Sequence, residues 1–333
     1  MTHFSSFQGR AVRLAAVAGI GLAGAVGVSA AVPGGAFAEG SSGPAANQGP
    51  SQSAMPGPSQ SALTFETLDN PADPTFNQLL GINDHGLIAG YFGSGEAGHP
   101  NKGYLLSPPA NYTAENFPGS VQTQVTGLNN VGTTVGFYAD ANGDNFGFAL
   151  RNGLYTVYQD PNTGTGTVNQ LLGVNDENMA VGFYTDGNGL NHGYLLNLTS
   201  GKFIETRIPG GTNTVATGIN DDGDITGFST NADKQVFGWL FRHGRFSEFE
   251  FKGSANTTPL GVNNRDEVVG AYVDAAGKTH GFTLNQAFGR KQWTSVDDPN
   301  GIGTTTVNGV NDFGQLVGFY TDAAGNTDGF LAK

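Results

Sequence analysis

The 333-residue chain carries 28 acidic against 15 basic side chains, a formal net charge of −13, with 53 glycines and no cysteine. That balance repels nucleic acid and anionic membrane surfaces, and without Cys neither disulfides nor thiolate metal sites can form. The glycines follow no Gly-X-Y period and are accompanied by 23 Phe and 10 Tyr, which excludes collagen and a disordered glycine-rich chain alike.

In chain order, residues 1–38 read as a secretory signal peptide. Arg10 and Arg13 supply the positive segment, Leu14 to Val32 an apolar stretch, and Ala36-Phe37-Ala38 an A-x-A cleavage site, so a mature chain starting at Glu39 is expected. Gly and Ala dominate the apolar stretch, which disfavours the rival reading of a retained membrane anchor. Loss of the two arginines takes the charge to −15. Residues 39–62 are Gly, Ser, Pro, Ala and Gln, with Gly-Pro-Ser-Gln-Ser-Ala written twice, and predict a disordered tether.

From residue 63 onward the chain repeats. A Gly-x-Asn tripeptide begins at Gly81, Gly127, Gly173, Gly218, Gly261 and Gly309, in steps of 46, 46, 45, 43 and 48 residues. Periods of that length mark solenoids or propellers, and four short strands fit one unit. The repeats lie near 75–118, 121–161, 167–209, 212–251, 256–299 and 304–333. Each reads as a strand running into Gly-x-Asn, a tight turn such as Asn83-Asp84-His85-Gly86, and a short second strand with a fixed glycine such as Val181-Gly182-Phe183-Tyr184. A third strand opens on glycine, as in Gly147-Phe148-Ala149-Leu150, and a fourth carries spaced aromatics and often ends in Pro. The sixth copy stops after its third strand, and its missing fourth strand matches Phe65 to Pro71 at the other end of the chain. An open solenoid has no use for that arrangement. The fold predicted is all-β: a six-bladed β-propeller of four-stranded blades, with the N-terminal strand completing the last blade.

The pattern Gly-x-Asn-x-x-Gly, then Val-Gly-Phe-Tyr, then Asp-x-x-Gly-x-x-His-Gly-Phe resembles the bacterial extracellular repeat, HAF family, named for a His-Ala-Phe triplet. The matching positions here are His192-Gly193-Tyr194 and His280-Gly281-Phe282, with Gly in place of Ala, while Lys102, Phe146, Phe237 and Asp328 stand in the His position elsewhere. The resemblance spans roughly residues 63–333 and implies export and a propeller-like fold; it implies no activity.

Candidate chemistry is sparse. Asn83, Asn129, Asn175, Asn220, Asn263 and Asn311 are identical in every copy and read as structural turn formers, since a six-fold ligand contact would demand a six-fold ligand. The glycines at 90, 136, 182, 227, 270 and 318 predict close approach of a neighbouring blade or an aromatic ring. Residues that break the repeat are the better binding candidates: Lys102, His192, His280 and Asp328, with Asp140, Asp144, Asp186, Asp274 and Asp322 in acidic loops between second and third strands. Asp140 to Asp144 opens like a calcium loop, but Arg151 occupies its twelfth place. Tyr112, Tyr158 and Trp293 are candidates for stacking on sugar rings. No nucleophile elbow, metal cluster or cofactor motif is present, so neither metal nor cofactor is expected. The sequence favours a secreted, non-catalytic, monomeric binding module for an extracellular glycan or a surface protein. The alternative is a propeller hydrolase or lyase, for which Glu96 and His99 in an irregular loop are the nearest trace.

Overall fold

A computed structural model describes residues 63–166, 168–286 and 291–333; the signal peptide and tether expected over 1–62 lie outside these residues. Among the described residues there is no helix, hence none long and apolar enough to cross a membrane. Twenty-four strands form six four-stranded antiparallel sheets. Blade 1 is β2–β5 (Asn77–Ile82, Ile88–Phe92, Lys102–Ser107, Asn111–Ala114), and blade 2 is β6–β9 (Gln122–Leu128, Thr133–Ala139, Asn145–Arg151, Leu154–Tyr158). Blade 3 is β10–β13 (Asn169–Val174, Met179–Thr185, Asn191–Asn197, Lys202–Glu205), and blade 4 is β14–β17 (Val215–Ile219, Ile225–Thr230, Val236–Arg242, Arg245–Phe249). Blade 5 is β18–β21 (Asn256–Val262, Glu267–Val273, Thr279–Asn285, Gln292–Val296). Blade 6 combines β22–β24 (Thr305–Val310, Leu316–Thr321, Thr327–Ala332) with β1 (Phe65–Thr67).

Closure follows the sequence reading. Phe65, Glu66 and Thr67 pair antiparallel with Ala332, Leu331 and Phe330. Thr64 and Lys333 exchange backbone hydrogen bonds of 2.9 and 3.0 Å, and Leu68 N–H donates to the Gly329 carbonyl at 2.8 Å. Leu68 then packs with Leu79, Tyr104, Val317 and Leu331, so the interface between blades 6 and 1 is built like the others.

Burial falls radially. The first strands are almost wholly buried, as in β22, whereas fourth strands such as β9 and β13 are half exposed. The hydrophobic core is a set of clusters, each between adjacent blades. In all six blades the third-strand aromatic (Tyr104, Phe148, Tyr194, Trp239, Phe282, Phe330) is fully buried. Each lies directly across from the fixed glycine of the second strand, in pairs such as Gly136↔Phe148 and Gly227↔Trp239. A Cβ at Gly136 would run into the Gln124 carbonyl and come within 3.0 Å of the Phe148 ring. The aromatic half of the sequence expectation therefore holds, but the other obstacle is the blade's own first strand.

Every first strand carries a β-bulge at the residue before its Gly-x-Asn glycine. A bulge bends the strand and re-aims one side chain. Here it turns the strand toward the axis and lets the glycines of successive blades approach: a Cβ on Gly218 would lie 3.0 Å from the Gly261 Cα.

The six asparagines do more than form turns. Each Oδ1 accepts N–H groups of its own turn, as Asn83 does from His85 and Leu87 at 3.1 and 3.0 Å. Each Nδ2 donates to the backbone carbonyl of the equivalent asparagine in the next blade. The distances from Asn83 round to Asn311 are 3.0, 2.8, 3.0, 3.1, 3.0 and 3.1 Å, the last returning to Asn83. The circuit is closed.

Asn175 is 4% exposed and joins Asn220 O to Met179 N. Asn175→Ala is expected to cost about 2–3 kcal/mol in denaturant unfolding, because buried backbone groups lose their partners. The exposed Asn188→Ala should cost under about 0.5 kcal/mol. Deleting 63–71 removes the closing strand and bares an edge, so it should lower the melting temperature far more than deleting 39–62; equal melting temperatures would contradict closure as the source of stability.

Candidate functional site

Alternating strand direction gives the ring two faces. The Asn-x-x-Gly turns and the turns between third and fourth strands open on one, here the mouth face. The second-to-third hairpins and the blade junctions lie on the other.

At the mouth, the residue after each repeat asparagine forms a second closed circuit: Asp84, Asn130, Asp176, Asp221, Asn264 and Asp312. The backbone N–H of each donates to Oδ1 of the next at 2.7–2.8 Å. The two amides also bridge carboxylates. Asn130 Nδ2 donates to Asp84 and Asp176, both at 3.1 Å, and Asn264 Nδ2 to Asp221 and Asp312, both at 2.8 Å. Four carboxylates and two amides thus surround a cavity of about 80 Å³. Sequence reading treated these residues as turn formers and missed the ring; that position holds Asp or Asn in all six copies, which was the available signal.

Deeper along the axis the six bulge residues, Leu80, Thr126, Leu172, Thr217, Leu260 and Asn308, surround about 40 Å³. Leucine alternates with a hydrogen-bonding residue, and each of the latter donates to a carbonyl of the following blade: Thr126 to Leu171 at 2.8 Å, Thr217 to Pro259 at 3.0 Å, Asn308 to Leu79 at 2.8 Å. Such a space has room for a few waters. At this level the axis narrows to that volume.

A more spacious concavity, about 650 Å³, also opens toward the mouth face, between blades 2 and 3. Arg151, Asn152, Leu154, Thr156 and Tyr158 form one wall and Leu198 to Gly201 the other. Asn152 holds a left-handed turn (φ 51°), Leu154 is 69% exposed, and Tyr158 OH donates to the Leu198 carbonyl at 2.7 Å. Burial raises the Tyr158 phenol above its ordinary pKa, with Arg151 opposing. Of the three aromatics expected to meet sugars, only Tyr158 lines this groove: Tyr112 packs edge-on against Tyr104, and Trp293 lies among Phe249, Phe251 and Phe282.

The residues singled out in the sequence lie on the opposite face, at hairpin tips and the strands beside them. Asp140, Asp186, Asp274 and Asp322 each accept two N–H groups of their own hairpin turn, as Asp140 does from Asn142 and Asp144. Lys102 Nζ reaches the Val121 carbonyl at 3.4 Å. His192 and His280 are not brought together; each has its own partners within or beside its blade. His192 lies between Glu205 (Nδ1, 3.0 Å) and Asp186 (Nε2, 3.1 Å) and stacks on Tyr184, with Arg207 on the far side of Glu205 at 2.9 Å. His280 lies between Asp297 (2.8 Å) and Asp274 (3.4 Å) and stacks on Tyr272. The irregular first loop places His99 Nδ1 on Asp73 at 2.8 Å. Among the described residues no group of three or more acidic, His or Cys side chains is placed to hold a metal.

Burial opposes a charge on His192, but the hydrogen bonds it donates to Glu205 and Asp186 outweigh it and hold the imidazole above its ordinary pKa. Asp186 is held down to about 2, first by the Leu190 N–H. Because the folded state raises the His192 pKa, its stabilisation is complete below the unfolded value and is lost as pH rises through the folded one. His192→Gln should therefore lower the melting temperature more at about pH 5.5 than at about pH 8.5. The two penalties should differ by about 1–2 °C after allowance for solvent screening.

No family profile matches the chain, and no curated protein matches it in sequence. Solved structures do. AofleA from Arthrobotrys oligospora superposes with a TM-score of 0.52 at 11% identity, covering 81% of this chain and 86% of that one. A Dyadobacter fermentans protein of unknown function gives 0.50 at 10% identity, covering 81% and 99%. The Aleuria aurantia lectin, seen in complex with alpha-methyl-L-fucoside, gives 0.49 at 10% identity, covering 78% and 91%. At such identities the first two likenesses are of fold alone, and the fold they share with this chain is the six-bladed β-propeller.

Proposed function

We propose that this chain is a secreted, non-catalytic propeller of the HAF-repeat type that binds a neutral or basic extracellular glycan. The observation that carries the reading is the groove between blades 2 and 3. Its roughly 650 Å³ suits an oligosaccharide segment, and its lining joins a planar guanidinium, an amide and hydroxyls to the exposed apolar surface of Leu154. Sugars offer hydroxyls on one edge and C–H groups on a face, and a wall of that mixture meets both. The net charge of the chain, −15 once residues 1–38 are lost, repels sulfated and phosphorylated polymers, so a neutral or basic chain is the fitting class. Secretion, by way of the signal over 1–38, would place the groove where such polymers are met.

The test is a glycan array followed by calorimetry on purified residues 39–333, with product analysis of the same mixtures. A dissociation constant of about 0.1–1 mM is expected for a neutral oligosaccharide. Asn152→Gly preserves the left-handed turn while removing the amide, and with Arg151→Ala it should weaken binding by about fivefold or more. Binding untouched by both changes would take the site away from the groove. Release of new reducing ends would make the protein an enzyme.

A further inference from the structure

Blade 6 repeats the junction-face arrangement of blade 5 with one change of sign. In blade 5, His280 pairs across from Tyr272, with Asp274 at the hairpin and Asp297 just beyond β21; Tyr272 OH meets Ser295 Oγ at 3.1 Å. In blade 6 the matching positions hold Asp328 across from Tyr320, Asp322 at the hairpin, and Asp69 just beyond β1; Tyr320 OH meets Thr67 Oγ1 at 2.9 Å. Asp328 thus stands where the other blade has an imidazole, and three carboxylates replace a carboxylate–histidine–carboxylate set. A fourth, Asp298 from the junction after β21, is 3% exposed, and its Oδ2 is buried without a hydrogen-bond partner.

This cluster sits on the closure. Asp69 Oδ1 accepts the Gly329 N–H at 3.0 Å, one residue beyond the bond from Leu68 N to Gly329 O. We propose that the seam is a proton-dependent latch: protonation of Asp69 and Asp328 holds β1 on β24, and ionisation of both beside Asp322 and Asp298 loosens it.

The groups facing Asp69 and Asp328 are Asp322, Asp298, Tyr320, and the tyrosines Tyr104 and Tyr112 of blade 1; no cation is among them. Burial raises the Asp69 carboxyl to about 6 against the Gly329 hydrogen bond, with Asp328 and Asp322 adding to the rise. Burial, then Asp322, raises Asp328 despite a bond from Tyr320. Asp322 remains ionised: burial opposes its charge, but Asn326 and Ala324 N–H groups outweigh it. Carboxyls raised in the fold stabilise it fully below the unfolded value near 3.8 and cease to do so as pH passes their folded values, about 6 for Asp69. The seam is therefore tightest in acid, the same sense of pH dependence as at the His192 site.

Hydrogen exchange of the full chain, read as protection factors, tests the latch. From about pH 5 to about pH 8, protection over 64–68 should fall about tenfold relative to β21, whose blade keeps the histidine. Asp69→Asn should remove most of that fall and Asp328→Asn part of it, and Asp328→His, which writes the blade 5 set into blade 6, should abolish it. Equal protection of the wild-type seam at both pH values would overturn the proposal without recourse to any variant. A fall that persists in Asp328→Asn and in Asp69→Asn would overturn it as well.

Discussion

Six amide-to-carbonyl hydrogen bonds, each from the side chain of one blade's asparagine to the backbone of the next, are the constraint on which the ring depends. Hydrophobic contact between blades is non-directional and would tolerate sliding. A buried amide that must reach one particular carbonyl does not, because a missed bond strands polar groups in the interior. The same side chain caps its own turn, so the local geometry of each blade and its angle to the next are fixed by one residue. The bulges and glycines follow from this: strands must bend toward the axis and lose their Cβ atoms for the turns to come within reach.

With geometry secured by the repeated positions, the remaining positions are free to differ, and they do so by location. The axial ring alternates leucine with threonine or asparagine, which narrows the channel while feeding bonds to neighbouring blades. The mouth carries carboxylates and bridging amides. The hairpin face varies between His, Phe, Lys and Asp at a single strand position, and each choice changes the local electrostatics without altering the sheet.

Much of this architecture was legible in the sequence. The spacing of Gly-x-Asn gave the blade count, and the truncated last copy together with Phe65–Pro71 gave the closure. The glycine across from each third-strand aromatic was partly legible, because a ring needs room and the chain supplied it at every repeat. The contacts between blades were not. Turn chemistry explains Asn175 locally, but its bond to Asn220 joins residues 45 positions apart and leaves no local trace. The groove was hidden for a related reason: Arg151 and Asn152 belong to one blade and Thr199 and Ser200 to the next, and nothing in either stretch announces the other. Repeat-breaking residues drew attention to the hairpin face, whereas the groove between blades 2 and 3 opens on the other.

The asparagine circuit runs in one sense, every amide donating to the blade that follows. Its bond dipoles therefore lie along the circumference and chase one another round, and by symmetry their vector sum is close to zero. A single helix aims a net dipole at its ends; this ring aims none from these bonds. The potential at the mouth is thus set by side-chain charges, with Asp84, Asp176, Asp221 and Asp312 nearest the axis. A monopole of that kind fades within a Debye length, so anything it draws in is felt only at close range in physiological salt.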